Sequence, residues 1–453
     1  MKKILINIIL IFACGTGYAD THYVSTNGAS SSPYLTWANA ATQIQWAVTA
    51  SAANDTVLVS NGVYDTGGLP MPEFPTMTNR VAIGWGGIWG TGSVRSVNGP
   101  NVTIIKGNPD PVTSGCGDGA VRCVYILGGE LSGFTLTGGY TRTAGDSREQ
   151  GGGGIILRGG TVSNCVIVGN KAYRVGGGMM GYSGGTMKNC TLTANLAAGD
   201  VAYQQGGGAY FTGPPGPTMN NCTLNCNTST YGGGAHFYDT GTMTNCTVSN
   251  NVATYGGGVY LTYNNLRVDN CLLVANRATS GGGVYFVDRL GPRMDNCLLI
   301  GNTASGNGGN AYFHGTAVDY GGNGTMNNCT LTAGIGGGAY MNNGIHGGTM
   351  TNCIVWGNAG YDISGVVTVG DVGYTCSGPA QSGTGNTGSD PLFVDTNTAN
   401  YHLRANSPCV NTGTNGGWTA NSVDLDGRIR IRYGIVDMGA YETIYKGTIF
   451  TGF

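Results

Sequence analysis

The chain has 453 residues with a formal net charge of −2 at pH 7, and only 10% of its residues are charged. So low a charge argues against a nucleic-acid-binding protein and against a protein held on acidic lipid by a basic surface. The 84 glycines would weaken helices throughout the chain. We therefore expect a β protein that does not bind nucleic acid.

The N-terminus has the pattern of a secretory signal peptide. Lys2 and Lys3 precede an apolar run from Ile4 to Ala13, and the small residues that follow predict cleavage after Ala19. Residues 1–19 are therefore predicted to be the signal peptide. The alternative is a lipoprotein box at Ile11–Cys14, although Phe12 fits that motif poorly. No later segment is long enough to span a membrane.

Residues 20–130 are predicted to form an N-terminal cap followed by irregular coils. An amphipathic stretch from Ala38 to Ala52, with Trp46 among its apolar residues, predicts a helix. We expect this helix to cover the open end of the structure behind it, because a bare sheet edge would otherwise be exposed there. Residues 55–64 are then expected to supply the first coil strand.

An Asn-Cys pair returns eight times, at intervals of 24 to 32 residues. A glycine triplet precedes most pairs, and a second asparagine follows most of the cysteines by five residues. This period predicts a solenoid. The cysteines are Cys165, Cys190, Cys222, Cys246, Cys271, Cys297, Cys329 and Cys353, and the second asparagines include Asn170, Asn195, Asn251, Asn276, Asn302 and Asn358.

Residues 131–360 are predicted to form the regular coils of a parallel β-helix. Apolar and polar residues alternate over short runs, and about 25 residues suffice for three short strands with their turns. Each Cys and the Leu or Val two residues later should face inward, with the cysteines as buried thiols. The Asn before each Cys is expected at a corner with positive φ, where its amide can bond the next Asn along. The glycine triplets should mark a corner too tight for Cβ atoms.

Three further features interrupt or end the repeat. Insertions at Leu196–Gln205 and His314–Gly324 produce the two intervals of 32 residues, and such loops are a usual place for binding function. Two cysteine pairs, Cys116 with Cys123 and Cys376 with Cys409, are candidates for disulfides. Residues 361–453 differ in composition and are expected to complete the last coils and close the C-terminal end.

The start YVSTNG…NDTVLVSNGVY and the ending DPLFVD…YHLRANSPCVNTG…DLDGRIR…VDMGAYE carry a resemblance. The chain resembles secreted bacterial right-handed parallel β-helix proteins with a choice-of-anchor Q type C-terminal region. Its repeats are also similar to those of polymorphic outer-membrane proteins, which are adhesin-like. The resemblance covers the whole mature chain and implies secretion with display at the outer surface of a bacterium. It implies no agreed biochemical activity.

An aromatic stripe is the first candidate for a functional site. It lies two residues beyond each glycine triplet, between neighbours that look inward-facing, so the alternation of a strand places it outside. One hypothesis is a ladder of cross-strand ring pairs that only stabilises the sheet. The other is a platform for sugar rings. The stripe consists of Met180, Tyr210, His236, Tyr260, Tyr285, Tyr312 and Tyr340.

Acidic residues give the remaining candidates. Asp269 and Asp295 recur in adjacent coils at a spacing that suits a retaining glycosidase pair, although Arg267 and Arg293 explain them as an ion-pair ladder. His236, His314 and His346 are scattered along the sequence and lack metal-ligand spacing. Asp424 and Asp426 match the first half of a calcium loop whose later Glu is missing. We therefore expect no cofactor, with calcium at these two residues as the open alternative.

The sequence thus predicts an all-β, single-stranded right-handed parallel β-helix of 11 to 13 coils with a short N-terminal capping helix. We expect a non-catalytic, secreted or surface-displayed structural or adhesive protein that binds glycans along the stripe. The alternative is a polysaccharide lyase or glycoside hydrolase using carboxylates on an outward strand face. The sequence does not indicate the oligomeric state.

Overall fold

A computed structural model gives the fold and describes residues 19–84, 92–199, 204–263, 266–287, 291–315, 324–342, 348–365, 367 and 370–444. Nearly all of the predicted signal peptide and parts of both predicted insertions lie outside the described residues.

Three long parallel sheets make up the body of the protein. Within the described ranges they contain 13, 12 and 12 strands, and each regular coil contributes one strand to each sheet. Sheet 1 contains Thr21–Val24, Thr56–Val59, Ser93–Ser96, Glu130–Ser132, Thr161–Ser163, Thr186–Lys188, Thr218–Asn220, Gly241–Thr244, Leu266–Asp269, Arg293–Asp295, Thr325–Asn327, Thr349–Thr351 and Val372–Gly373. Sheet 2 contains Gly62–Tyr64, Thr103–Lys106, Thr135–Thr137, Val166–Val168, Thr191–Thr193, Thr223–Asn225, Thr247–Ser249, Leu272–Val274, Leu298–Ile300, Thr330–Thr332, Ile354–Trp356 and Cys376–Ser377.

Sheet 3 follows the glycine triplets in the regular coils. It contains Leu69–Met71, Phe74–Ile83, Val121–Ile126, Ile155–Leu157, Met179–Tyr182, Ala209–Thr212, Ala235–Phe237, Val259–Leu261, Val284–Val287, Ala311–His314, Ala339–Asn342 and Ile363–Gly365. Leu69–Met71 and Phe74–Ile83 pair antiparallel as a hairpin. Short two-strand sheets join Lys171–Ala172 to Leu196–Ala197 and Arg277–Ala278 to Thr303–Ala304.

Together the sheets form a right-handed parallel β-helix, as the sequence predicts. Each strand pairs with the equivalent strand one coil away, because the apolar position in its centre must stay inside. The core is a column of these central residues, such as Met187, Leu192 and Phe211, all of which are fully buried. The number of strands in each sheet fits the predicted 11 to 13 coils.

The N-terminal helix is present but shorter than predicted. It spans Ile44–Ala50, buries Ile44, Ala47 and Val48, and packs against the first strands of sheet 1 and the strand Phe74–Ile83. Trp46, one of the apolar residues of the predicted stretch, is 42% exposed and does not belong to the buried face of the helix. Thr21–Val24 precedes residues 55–64 in sheet 1, so the first coil strand starts earlier than expected. No helix of the described segments is long and apolar enough to cross a membrane.

The corner before each cysteine is built as predicted. All eight Asn residues of the Asn-Cys pairs have φ between 48° and 55°, and the Asn221 amide donates to Asn189 Oδ1 over 2.8 Å. The eight following cysteines are buried free thiols. The glycine corner is also as tight as predicted, since a Cβ atom on Gly258 would lie 2.6 Å from the carbonyl oxygen of Gly283.

The second asparagine of each repeat forms the more continuous ladder. Asn227 is fully buried, and its amide donates to Leu192 O over 2.9 Å and to Asn251 Oδ1 over 3.0 Å. Its own oxygen accepts from the backbone and side-chain nitrogens of Asn195, both at 3.0 Å. Each side chain thereby satisfies the backbone at a corner that cannot form strand hydrogen bonds.

Among the eight coils with an Asn-Cys pair, one lacks this asparagine, and a neighbouring residue replaces its side chain. Gly334 occupies the ladder position, while Asn310 replaces the third glycine of its triplet. Asn310 accepts from Asn302 Nδ2 over 2.9 Å and donates to Asn358 Oδ1 over 2.9 Å, so the chain of amides continues. Two departures from the repeat therefore compensate each other.

The C-terminal segment packs back along the outside of the solenoid. Its antiparallel strands Phe393–Asp395 and Asn400–Leu403, joined by the 3₁₀ turn Thr396–Thr398, lie in a second apolar cluster. That cluster includes Leu298 and Ile354, which face outward from sheet 2. In earlier coils the equivalent positions hold threonine.

The same segment also satisfies the last corner asparagines. Arg430 donates through Nε and Nη2 to Asn296 Oδ1, and Trp418 Nε1 donates to Asn328 Oδ1 over 2.8 Å. Arg430 is fully buried and pairs with Glu442 over 2.9 Å. The corner ladder is therefore open to solvent in the middle coils and covered near the C-terminus.

Neither predicted disulfide is present. Cys116 and Cys123 are free thiols with different partners, since Thr141 donates to Cys116 and Cys123 donates to the Thr137 carbonyl. Cys376 and Cys409 are also free, although both are buried in the C-terminal cluster.

The compensation between Asn310 and Gly334 can be tested with a double-mutant cycle. Asn310→Gly should lower the free energy of unfolding by about 2 kcal/mol, because buried amide partners lose their hydrogen bonds. Gly334→Asn should also destabilise, since its Cβ would lie 2.7 Å from Asn310 Nδ2. The double variant should recover most of the loss, because it restores the pattern of the other coils. Thermal or urea unfolding of the four proteins measures the cycle.

The control is Asn220→Ala, a change at an exposed position of sheet 1. It should cost no more than about 0.5 kcal/mol. A double variant no more stable than Asn310→Gly alone would show that the two positions are independent.

Candidate functional site

Sheet 3 carries the aromatic stripe on its outer side. Strand register places Met180, Tyr210, His236, Tyr260, Tyr285, Tyr312 and Tyr340 in one row across seven neighbouring strands. The residues on either side of each, such as Ala209 and Phe211, are buried in the core. The predicted alternation is therefore confirmed. We call this row from Tyr210 to Tyr340 the tyrosine face.

The rings of the tyrosine face are stacked over four consecutive coils. Ring centroids are 5.1 Å apart between Tyr260 and Tyr285, 4.8 Å between Tyr285 and Tyr312, and 5.3 Å between Tyr312 and Tyr340. The interplanar angles are 17°, 6° and 25°. Neighbouring rings therefore lie nearly parallel and present one continuous aromatic strip.

Further rings flank the row, and the sequence prediction missed them. Tyr231 and Tyr255 stack on each other over 5.4 Å on one side, just before their glycine triplets. Tyr238 and Tyr263 contact each other over 5.0 Å on the other side. The repeated order Tyr-Gly-Gly-Gly at residues 231 and 255 is a sequence signal from which the first pair could have been found.

Part of the outward row is covered by other side chains, so the expectation of an exposed stripe is wrong for four members. Tyr210 and Tyr285 are 7% and 6% exposed, and Met180 and His236 are each 2% exposed. Burial lowers the pKa of His236 to about 3, and its Nε2 lies 2.7 Å from the Thr262 hydroxyl. His236 is thus a neutral ring inside the stack. Tyr260, Tyr312 and Tyr340 are half-buried and present the accessible edges.

Asp269 and Asp295 lie on sheet 1, not on the tyrosine face. They are register partners in adjacent strands. Arg267 pairs with Asp269 over 3.1 Å and with Asp295 over 3.5 Å, and Arg293 also pairs with Asp295. Asn327 donates to the other oxygen of Asp295. This is the arrangement of the predicted ion-pair ladder.

Asp269 differs from an ordinary surface carboxylate. Burial raises its pKa to about 6, with Arg267 opposing the shift and Asp295 adding to it. Its Oδ1 atom is buried without a hydrogen-bond partner. A carboxyl group that titrates near neutral pH can act as a general acid or base, so Asp269 is the residue with which catalysis would be tested first.

Asp424 and Asp426 hold a turn of the C-terminal segment. Asp424 Oδ1 accepts from the backbone nitrogens of Asp426 and Arg428, and Oδ2 accepts from that of Glu442. Asp426 pairs with His402 over 2.7 Å and with Arg428 over 2.9 Å. The two carboxylates therefore face different partners. Within the described residues, no group of three or more His, Cys, Asp or Glu side chains is arranged to hold a metal ion.

Comparison with known proteins agrees with the architecture. Residues 124–273 match a family model described as the right handed beta helix region. The crystal structure of pectate lyase Pel9A superposes with a TM-score of 0.50 and 15% sequence identity, covering 95% of this chain and 98% of that one. This chain has the right-handed β-helix fold. A rhamnogalacturonan lyase superposes with a TM-score of 0.39 and 13% identity, over 69% of this chain and 82% of that one. No curated protein sequence matches this chain significantly.

The raised pKa of Asp269 predicts a pH-dependent stability. The folded state holds this proton more tightly than the unfolded state, whose carboxyl group titrates near 3.8. The resulting stabilisation is complete below pH 3.8 and is lost as the pH rises through about 6. The side chain of the Asp269→Asn variant stays uncharged at every pH, so its stability does not fall in this way. Between pH 4 and pH 7 the free energy of unfolding of the variant should therefore rise relative to that of the original protein, by up to about 3 kcal/mol for a pKa shift of roughly two.

Denaturant unfolding of both proteins at several pH values measures this difference. The comparison at pH 4 serves as the internal control for the substitution itself. A difference that stays constant from pH 4 to pH 7 would contradict the prediction.

Proposed function

We propose that this protein binds extracellular polysaccharide on its tyrosine face without cleaving it. The observation that carries the proposal is the strip of parallel rings from Tyr260 to Tyr340, which faces away from the core. Rings offer a large contact area at little entropic cost, and their hydroxyl groups can donate to and accept from sugar hydroxyls.

The repeat of the solenoid supports an extended ligand. Rings recur once per coil, at the spacing of about 4.8 Å that separates neighbouring strands. A small molecule would contact one or two of them, whereas a chain of sugars lying along the solenoid axis would contact the whole strip. Low overall charge suits uncharged hydroxyl-rich partners better than nucleic acid or acidic lipid.

We place the protein outside the cell. The predicted signal peptide and the resemblance of both ends of the chain to secreted bacterial β-helix proteins support this location. The same resemblance is the basis for a structural or adhesive role at the cell surface. A protein that holds polysaccharide there needs a long binding surface more than a deep pocket.

Removing accessible rings should weaken retention. Tyr260→Ala and Tyr312→Ala should each lower affinity about fivefold, since a ring contact contributes about 1 kcal/mol. Affinity electrophoresis in gels containing polygalacturonate, rhamnogalacturonan, xylan or mixed-linkage β-glucan measures retention of the mature protein.

The matched control is Tyr433→Ala in the C-terminal segment, where the ring is 48% exposed but far along the chain from sheet 3. Its retention should equal that of the original protein. Equal retention of all four proteins in a gel that retards them would place binding elsewhere.

A polysaccharide lyase or glycoside hydrolase is the second candidate. The superposition on pectate lyase Pel9A favours it, because it extends over nearly the whole chain, although at 15% identity it reports the fold alone. Asp269 and Asp295 would be the acids concerned, and the arginines that pair with them count against the role.

The two candidates differ in products. Incubating the same four polysaccharides with the mature protein should release no reducing or unsaturated chain ends if binding is the function. Release that disappears in Asp269→Asn but persists in Tyr260→Ala would establish the enzyme instead.

A further inference from the structure

The tyrosine face is closed at its N-terminal end. The outward row of sheet 3 continues through Ile156, Tyr125 and Ala82, which are in register with Met180 but completely buried. Outward positions are buried only where other parts of the chain cover them. A ligand lying along the face therefore meets a wall beyond Tyr210.

Two segments build this wall, the loop of residues 142–152 and the hairpin around Phe74. The Arg148 guanidinium lies 4.4 Å from the centroid of Phe74 and 5.4 Å from that of Tyr182, joining the loop to the hairpin and to sheet 3. A Cβ atom on Gly151 would lie 2.8 Å from Met180 Sδ, so the loop packs directly on the row.

A buried arginine side chain fixes the wall loop to the solenoid. Arg122 is 1% exposed and donates to the carbonyl oxygens of Arg148, Gly151 and Gly152 over 2.5 to 2.8 Å. Arg158 adds an ion pair with Glu73 and lies over the Tyr182 ring. Because several independent contacts fix the loop, the closed end is a built feature of the fold.

A cavity of about 270 Å³ lies where the row meets the wall. Its rings are Tyr182, Tyr210 and Tyr238, and its polar groups include Arg174, Gln205 and the Thr212 hydroxyl. Ser147 of the wall loop closes one side. Apolar walls with a few converging polar groups are typical of ligand sites. This volume lies below the range of about 300–1,000 Å³ usual for drug-sized ligands and suits a single sugar ring.

We propose that this cavity binds the terminal sugar of a polysaccharide chain, so that the tyrosine face takes chain ends and not chain interiors. The inference rests on the proposed function, because the rest of the chain would lie along the rings from Tyr260 to Tyr340. A chain interior would need an open path on both sides, and the wall removes one of them.

Counting binding sites against chain ends tests the proposal. Each of the four polysaccharides above is divided by partial acid hydrolysis into fractions of decreasing chain length. Isothermal titration with the mature protein should give one protein bound per chain in every fraction, so capacity per gram rises as chains shorten. Capacity per gram that does not change with chain length would overturn the proposal while leaving polysaccharide binding intact. If no polysaccharide binds, the proposed function fails first.

Borohydride reduction of the same fractions identifies the end concerned. Loss of binding assigns the cavity to the reducing end, and unchanged binding assigns it to the non-reducing end.

A filled cavity provides the second test. Ser147 is exposed on the wall loop, so Ser147→Trp can block the cavity without disturbing the core. Affinity for short fragments should fall at least tenfold. Thr143→Trp, on the same exposed loop but outside the cavity lining, is the matched control and should bind as the original protein does. Equal affinity of the two variants would overturn the proposal.

Discussion

The rest of the structure depends on the in-register stacking of each coil on the next. Parallel strands three or four residues long contribute few hydrogen bonds each. Because side chains alternate between the two faces of a strand, a slip of one residue would turn every core side chain outward. The buried Asn ladder opposes such a slip, because Asn227 bonds both neighbouring coils as well as the backbone beneath it. Asn310 keeps the ladder continuous where Gly334 would interrupt it.

This constraint explains what could be predicted from the sequence. A residue type that recurs at one position of each coil must occupy one environment, so the repeat identified the core cysteines, the positive-φ corner and the outward row of rings. It gave no indication of which of the two asparagines is buried. In the middle coils the Asn before each Cys is exposed at the corner, as at Asn221, whereas the second Asn is buried, as at Asn227.

Contacts between distant parts of the chain explain what could not be predicted. The alternation of side chains along a strand predicts which residues point outward, but it does not predict which of those residues are exposed. Tyr285 points outward and is nevertheless covered by neighbouring rings. The docking of the C-terminal segment had a weak signal, since Leu272 and Leu298 replace the threonines of earlier coils at outward positions. Without knowing what covers them, those leucines could equally mark an exposed apolar patch.

The outer surface of this solenoid therefore has two kinds of region, one where the repeat is regular and one where it is interrupted. Where coils repeat without interruption, similar side chains align in rows, and the row of rings supplies the long aromatic surface on which the proposed polysaccharide binding depends. Where the repeat fails, at residues 142–152 and at the hairpin around Phe74, the chain leaves the coil and covers its own row, and Arg148 packs on Phe74 to join the two segments. A regular row alone would accept a polymer at any point along its length. The irregular wall gives the row a direction and one defined end, which is what recognition of a chain terminus requires.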